Sequence, residues 1–164
     1  MSLIVFGSVF FSSEEQTVSF IKQEFFVNGC YMRTGSKVSK TTNNVVRNIL
    51  GPSDFYAQTF ELCDGPSDNT ATELFAPKYY YETNGVWEEK APTLCERLEL
   101  VQNFLNELFL KTNPVKIKMC ISNQGYPILS DCKVIKISLN QLLEKLYDEY
   151  EKYNDVPSLL VEIS

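Results

Sequence analysis

The feature that most constrains this chain is a change of hydrophobic period at Asn113-Pro114. Before it, Leu94, Leu98, Val101, Leu105 and Leu108 recur at i, i+4, i+7, i+11 and i+14, and Phe104 and Phe109 widen the stripe. Arg97, Glu99, Gln102, Asn103 and Glu107 occupy the other positions. That spacing predicts an amphipathic helix with one face to bury. Thr93-Leu94-Cys95-Glu96 has the form of a capping box at its start. After the break, Val115, Ile117, Met119 and Ile121 alternate with Lys116, Lys118, Cys120 and Ser122, which predicts a strand with one buried face. A helix and a strand that each need an apolar cover, joined by a tight connection, call for helices laid over a sheet.

The flanking sequence extends this scheme. Residues 133–138 read as the next strand, and Ser138-Leu139-Asn140-Gln141 as a further capping box. A helix with Leu139, Leu142, Leu143, Leu146, Tyr147 and Tyr150 in its stripe follows, then a terminal strand at 158–163. At the other end, residues 3–11 read as a buried strand in which Gly7-Ser8 is a bulge signal. Ser13-Glu14-Glu15-Gln16 should cap a helix carrying Val18, Ile21 and Phe25, with Asn28-Gly29 as its stop. Residues 30–33 suit a short strand, 34–44 are polar and turn-like, and 45–50 suit a short helix or strand.

Gly-Pro-Ser-Asp occurs at 51–54 and again at 65–68, repeated turn chemistry that brackets a strand at 55–63. Around Asn84-Gly85, residues 78–83 and 86–88 form the strongest hairpin signal in the chain, with Thr83 facing Val86 and Glu82 facing Trp87. The expected architecture is a single α+β domain over 1–164. A mixed, largely antiparallel sheet packs against about three helices.

Composition narrows the function classes. The net charge of −6 argues against non-specific binding to nucleic acid or to anionic membranes and is compatible with a basic protein partner. Five widely spaced cysteines, an odd number with no Cys-x-x-Cys, fit a reducing compartment. The apolar opening is too short for a membrane helix and has no basic residue before it, so a cytoplasmic protein is expected. Gly29 and Gly35-Ser36-Lys37 miss the phosphate-loop spacing.

The chain has no histidine, which removes Ser-His-Asp and Cys-His catalysis and most hydrolytic zinc sites. Cys95 falls in a helical first turn, where thiols are activated, yet it adjoins Leu94 on a helix that must be buried and reads as structural. The expectation is a protein without enzymatic activity, cofactor or metal. Two surfaces remain as candidates for partner binding. One is the aromatic hairpin with Tyr79, Tyr81, Trp87 and Glu88, residue types that anchor interfaces. The other is the acidic back of the last helix, with Asp148, Glu149 and Glu151.

The succession Glu96-Arg97-Leu98, Phe104-Leu105, 115–122, 133–138, the helix from Leu139, and Leu160-Val161-Glu162-Ile163 resembles small bacterial immunity proteins. These belong to contact-dependent growth inhibition and other polymorphic toxin systems. The resemblance lies in size, acidity and element order over the C-terminal half. It implies a cytoplasmic protein that binds and neutralises a cognate toxin domain, often a nuclease with a basic face. The alternative from another class is a small-ligand or regulatory binding domain, its ligand held between sheet and helices.

Overall fold

The computed structural model describes residues 3–27, 30–50, 56–63, 73–74, 80–83, 86–89, 94–123, 134–153 and 159–164. In chain order the elements are β1 (Leu3–Phe10), α1 (Glu14–Lys22), β2 (Phe25–Val27), β3 (Cys30–Thr34), α2 (Lys40–Ile49), β4 (Ala57–Cys63) and β5 (Glu73–Leu74). They continue as β6 (Tyr80–Thr83), β7 (Val86–Glu89), α3 (Leu94–Thr112), β8 (Lys116–Asn123), β9 (Ile135–Ile137), α4 (Leu142–Tyr153) and β10 (Leu159–Ile163). The main sheet runs β2-β3-β4-β1-β8-β10-β9, with β5 also paired to β1. Only the β9–β10 pair is parallel among the described pairings, and α4 supplies the crossover that such a pair requires. The expected α+β fold with a mixed, largely antiparallel sheet is what the chain adopts.

Alternation decides what each face buries. Val5 and Val9 of β1, Phe60 and Leu62 of β4, Ile117, Met119 and Ile121 of β8, and Leu159, Val161 and Ile163 of β10 point to one side. There they meet Phe20 of α1, Leu98, Val101, Phe104, Leu105 and Leu108 of α3, and Leu142 and Leu146 of α4. On the other side Phe6, Cys120 and Leu160 pack under Val46 of α2 and Leu50 just after it. Three helices therefore cover one face and a single helix the other.

The described helices thus flank the expected sheet on both faces. The polar stretch once read as a turn starts α2: Ser39 is its N-cap, its Oγ accepting from the Thr42 N–H at 3.2 Å. The same helix corrects the reading of residues 115–122. Cys120 and Ser122 are as buried as Ile117 and Met119, because α2 covers the second face.

Two further expectations change at the N-terminal end. The first helix ends at Lys22, before Phe25, which belongs to β2; Asn28-Gly29 lies outside the described residues. Its buried side chains are Thr17 and Phe20, whereas Val18 and Ile21 are 41% and 42% exposed. Gly7 marks no bulge, since β1 runs in unbroken register with β8 from Leu3↔Asn123 to Phe10↔Lys116. It marks a close backbone approach: a Cβ there would lie 2.0 Å from the Lys118 carbonyl oxygen and 2.7 Å from Met119 Cα. No side chain fits. The two Gly-Pro-Ser-Asp turns lie outside the described residues.

The helix on which the sequence argument began is α3, and it stops where expected. Asn113 takes φ 47°, the left-handed conformation that asparagine tolerates, and its N–H closes the last turn on the Phe109 carbonyl at 2.9 Å. No helix among the described residues is long and apolar enough to cross a membrane.

Candidate functional site

The last helix places the predicted acids, and its periodicity separates them. Leu142 and Leu146 are fully buried, with Leu143 and Tyr147 packed against the same core. Gln141 closes the capping box, its side-chain oxygen accepting from the Ser138 N–H at 2.9 Å. With that face fixed inward, Glu144, Asp148 and Glu151 fall on the exposed side of α4 at i, i+4 and i+7.

Glu149 lies about 100° round the helix from Asp148 and its side chain is only 16% exposed. It is held by the Lys145 ammonium at 3.0 Å, an i,i+4 ion pair. Of the three predicted acids, Asp148 and Glu151 share the open stripe, Glu149 does not, and Glu144 joins them. The burial of Leu142 and Leu146 shows which face Glu144 and Asp148 share.

Beside this stripe runs a groove of about 250 Å³ between α4 and β9, lined by Lys136, Ile137, Gln141, Glu144, Lys145 and Asp148. Among the described strands β9 is the terminal one in the sheet order, with β10 on its inner side. An edge of this kind presents backbone N–H and C=O groups to whatever docks there. A second groove, of about 260 Å³, lies between α1 and the end of α3, lined by Glu15, Gln16, Ser19, Phe20, Gln23, Lys111 and Thr112.

The site rests on a polar bracket that the stripe pattern misread as surface. Gln102 of α3 is 8% exposed. Its Nε2 donates to the Leu139 carbonyl and to Asn106 Oδ1, both at 2.9 Å, and its Oε1 accepts from the Leu143 N–H at 3.1 Å. It satisfies the Leu143 N–H in the first turn of α4 and adds a second donor to the Leu139 carbonyl, which also accepts from the Leu142 N–H. Tyr147 adds a second tie, its hydroxyl donating to Glu99 Oε1 of α3 at 2.7 Å. A buried glutamine at the edge of a leucine stripe is the signal that could have revealed this bracket.

The hairpin forms as expected, as a separate two-stranded sheet. Thr83 pairs with Val86, Glu82 with Trp87, Tyr81 with Glu88, and Tyr80 with Glu89. Tyr79 lies outside the described residues. The two candidate surfaces therefore belong to different sheets. Cys30, Cys63 and Cys120 are buried, Cys95 lies in the first turn of α3, and Cys132 is outside the described residues. Among the described residues no group of three or more His, Cys, Asp or Glu side chains is placed to hold a metal ion.

One further charged cluster lies on the α2 side of the sheet. Glu61 of β4 is fully buried. Its carboxylate accepts from Thr42 Oγ1 at 2.8 Å, the Ser39 N–H at 3.4 Å and Arg33 Nη1 at 3.5 Å. Ser39 and Thr42 open α2, so the acid sits at the positive end of that helix. The cluster faces no groove described above, and its chemistry is that of a latch between helix and sheet.

Comparison with protein-family models, curated proteins and solved structures found no match to this chain.

Proposed function

We propose that this chain is a non-enzymatic immunity protein that binds and neutralises a cognate toxin domain, docking a basic surface of the toxin on the back of α4. The observation that carries the reading is the exposed stripe Glu144, Asp148 and Glu151 beside the β9 edge. Opposite charge on the partner would steer the encounter, and the strand edge would supply main-chain hydrogen bonds. The aromatic hairpin is a second contact in this scheme, through Tyr79, Tyr81, Trp87 and Glu88. Cytoplasmic placement belongs to the same proposal. The small-ligand alternative gains no support from the two grooves described, since pockets for such ligands span about 300–1,000 Å³.

The test is co-purification from the native host with a basic partner, a toxin-like domain encoded by a neighbouring gene being the expected one, followed by binding kinetics at two salt concentrations. Glu144→Lys/Asp148→Lys/Glu151→Lys should slow association by about tenfold or more and remove most of its salt dependence, because it inverts the steering field. The reading falls if no basic partner co-purifies. It also falls if the triple variant associates at the parental rate.

A further inference from the structure

The net charge is −6, yet among the described residues the exposed acids and the exposed cations favour different sides of the sheet. Exposed carboxylates crowd the three-helix side, at Glu14 and Glu15 of α1, Glu99 of α3, and the α4 stripe. On the opposite side α2 carries no acid at all. Its exposed positions are Lys40, Thr41, Asn44, Arg47 and Asn48, at i, i+1, i+4, i+7 and i+8, so they form one stripe. The stripe is made entirely of cations and neutral hydrogen-bonding groups.

The sheet continues that surface. Two residues along from the row Phe6, Cys120 and Leu160 beneath α2, the same strands align Ser8, Lys118 and Glu162, with Lys136 of β9 next in register. One pleat further, Lys116 Nζ stands 5.0 Å from the centroid of the Phe10 ring, and Lys118 Nζ stands 5.6 Å from it. Two of the described acids on this side are engaged: Glu162 lies 4.0 Å from Lys118, and Glu61 is buried against Arg33.

We infer that the α2 face is a nucleic-acid-binding surface, holding the phosphate backbone through Lys40, Arg47 and Lys116, with Asn44 and Asn48 as neutral donors. Two arguments favour nucleic acid over an acidic protein. Protein interfaces are anchored by aromatic and aliphatic side chains, and the α2 stripe has none. Nucleic-acid interfaces are polar and cationic, with phosphates contacted by Arg, Lys, Thr and Asn. The acids beyond the sheet do not cancel this field. A sheet and a helical layer, each about 10 Å thick, hold those acids roughly 20 Å away, and Coulomb interaction falls with distance.

The measurement is fluorescence anisotropy of the full chain with a labelled mixed-sequence DNA duplex and, separately, a single-stranded RNA of similar length. Both are titrated between about 50 and 200 mM salt. Expected is binding at the low-salt end, with a log–log salt slope of about −3 for the duplex. Lys40→Glu/Arg47→Glu, two changes at exposed positions that leave the core intact, should weaken binding by about tenfold and flatten the slope by about 2. Glu14→Gln/Glu15→Gln on α1, on the far side, should leave the affinity unchanged. Binding of only one probe identifies which nucleic acid the face takes. No binding of either probe at low salt overturns the inference. So does unchanged binding by the Lys40→Glu/Arg47→Glu variant, or displacement by poly-glutamate as effective as by unlabelled duplex.

Discussion

The two faces of the sheet are held by different physics. Beneath α1, α3 and α4 lies a dry core of large side chains, in which Phe20, Phe60, Phe104, Leu98, Leu105 and Leu108 are all buried. Beneath α2 the apolar contact is smaller, Val46 and Leu50 on Phe6, Cys120 and Leu160, and the Glu61 latch adds to it. The first face is specified by area, which is non-directional and tolerant of detail. The second is specified by a few directional bonds, which fix where α2 starts and how it lies on the strands. A face held by directional bonds can leave its outer surface polar. α2 does so, with a cationic stripe on an acidic protein.

The largest effect should come from the dry face. Phe104→Ala removes a fully buried ring from the three-helix core and should cost about 3–5 kcal/mol in urea unfolding. Val46→Ala, the matching truncation under α2, removes far less apolar volume and should cost about 2 kcal/mol. Equal losses would mean that the two faces share one cooperative core and would break the contrast.

Next in size is the latch. Glu61→Gln keeps the shape and one accepting oxygen but takes the carboxylate away from Arg33, and should cost about 3 kcal/mol. The loss should be local as well. Hydrogen exchange of α2 amides should accelerate while the middle of α3 keeps its protection. A loss below about 1 kcal/mol, or equal acceleration in both helices, would show that α2 is held by its apolar contact alone.

The same contrast explains what could be read from sequence. The dry face was legible because α3 repeats an apolar stripe over Leu94–Thr112 and β8 alternates strictly at Ile117, Met119 and Ile121. Both patterns report burial, and burial follows side-chain chemistry. The latch was not legible. Its members, Arg33, Ser39, Thr42 and Glu61, are polar residues scattered over three elements and leave no periodic trace. Lys40-Thr41-Thr42-Asn43-Asn44 is a poor helix former, so α2 read as a turn until Ser39 and Glu61 were seen to close its first turn. The α1 stripe failed for a related reason. Val18 and Ile21 have helical spacing, yet the neighbouring Thr17 and Phe20 were the side chains that met the sheet. For the candidate site, sequence marked the acids of α4, whereas the buried Leu142 and Leu146 decided which of them share a face.

The finest test compares two serines with the same local job. Ser13 caps α1 on the dry face and Ser39 caps α2 on the other, each accepting a backbone N–H at 3.2 Å. A cap of this kind is worth about 1 kcal/mol wherever it occurs, so local geometry predicts equal losses for Ser13→Ala and Ser39→Ala. Their surroundings predict otherwise. Ser39 Oγ also bonds Thr42 Oγ1 at 2.9 Å, which in turn donates to Glu61 Oε2 at 2.8 Å. Ser13 has no tie to a buried charge among its described bonds; its helix is anchored by Phe20, stacked 4.9 Å from the Phe11 ring. Ser39→Ala should therefore cost roughly 0.5 kcal/mol more than Ser13→Ala. A double-mutant cycle with Glu61→Gln should give a coupling of about 0.5 kcal/mol or more for Ser39 and none resolvable for Ser13. If both cycles read zero, the latch is a set of independent bonds, and directional specification of α2 must come from Arg33 and the backbone alone.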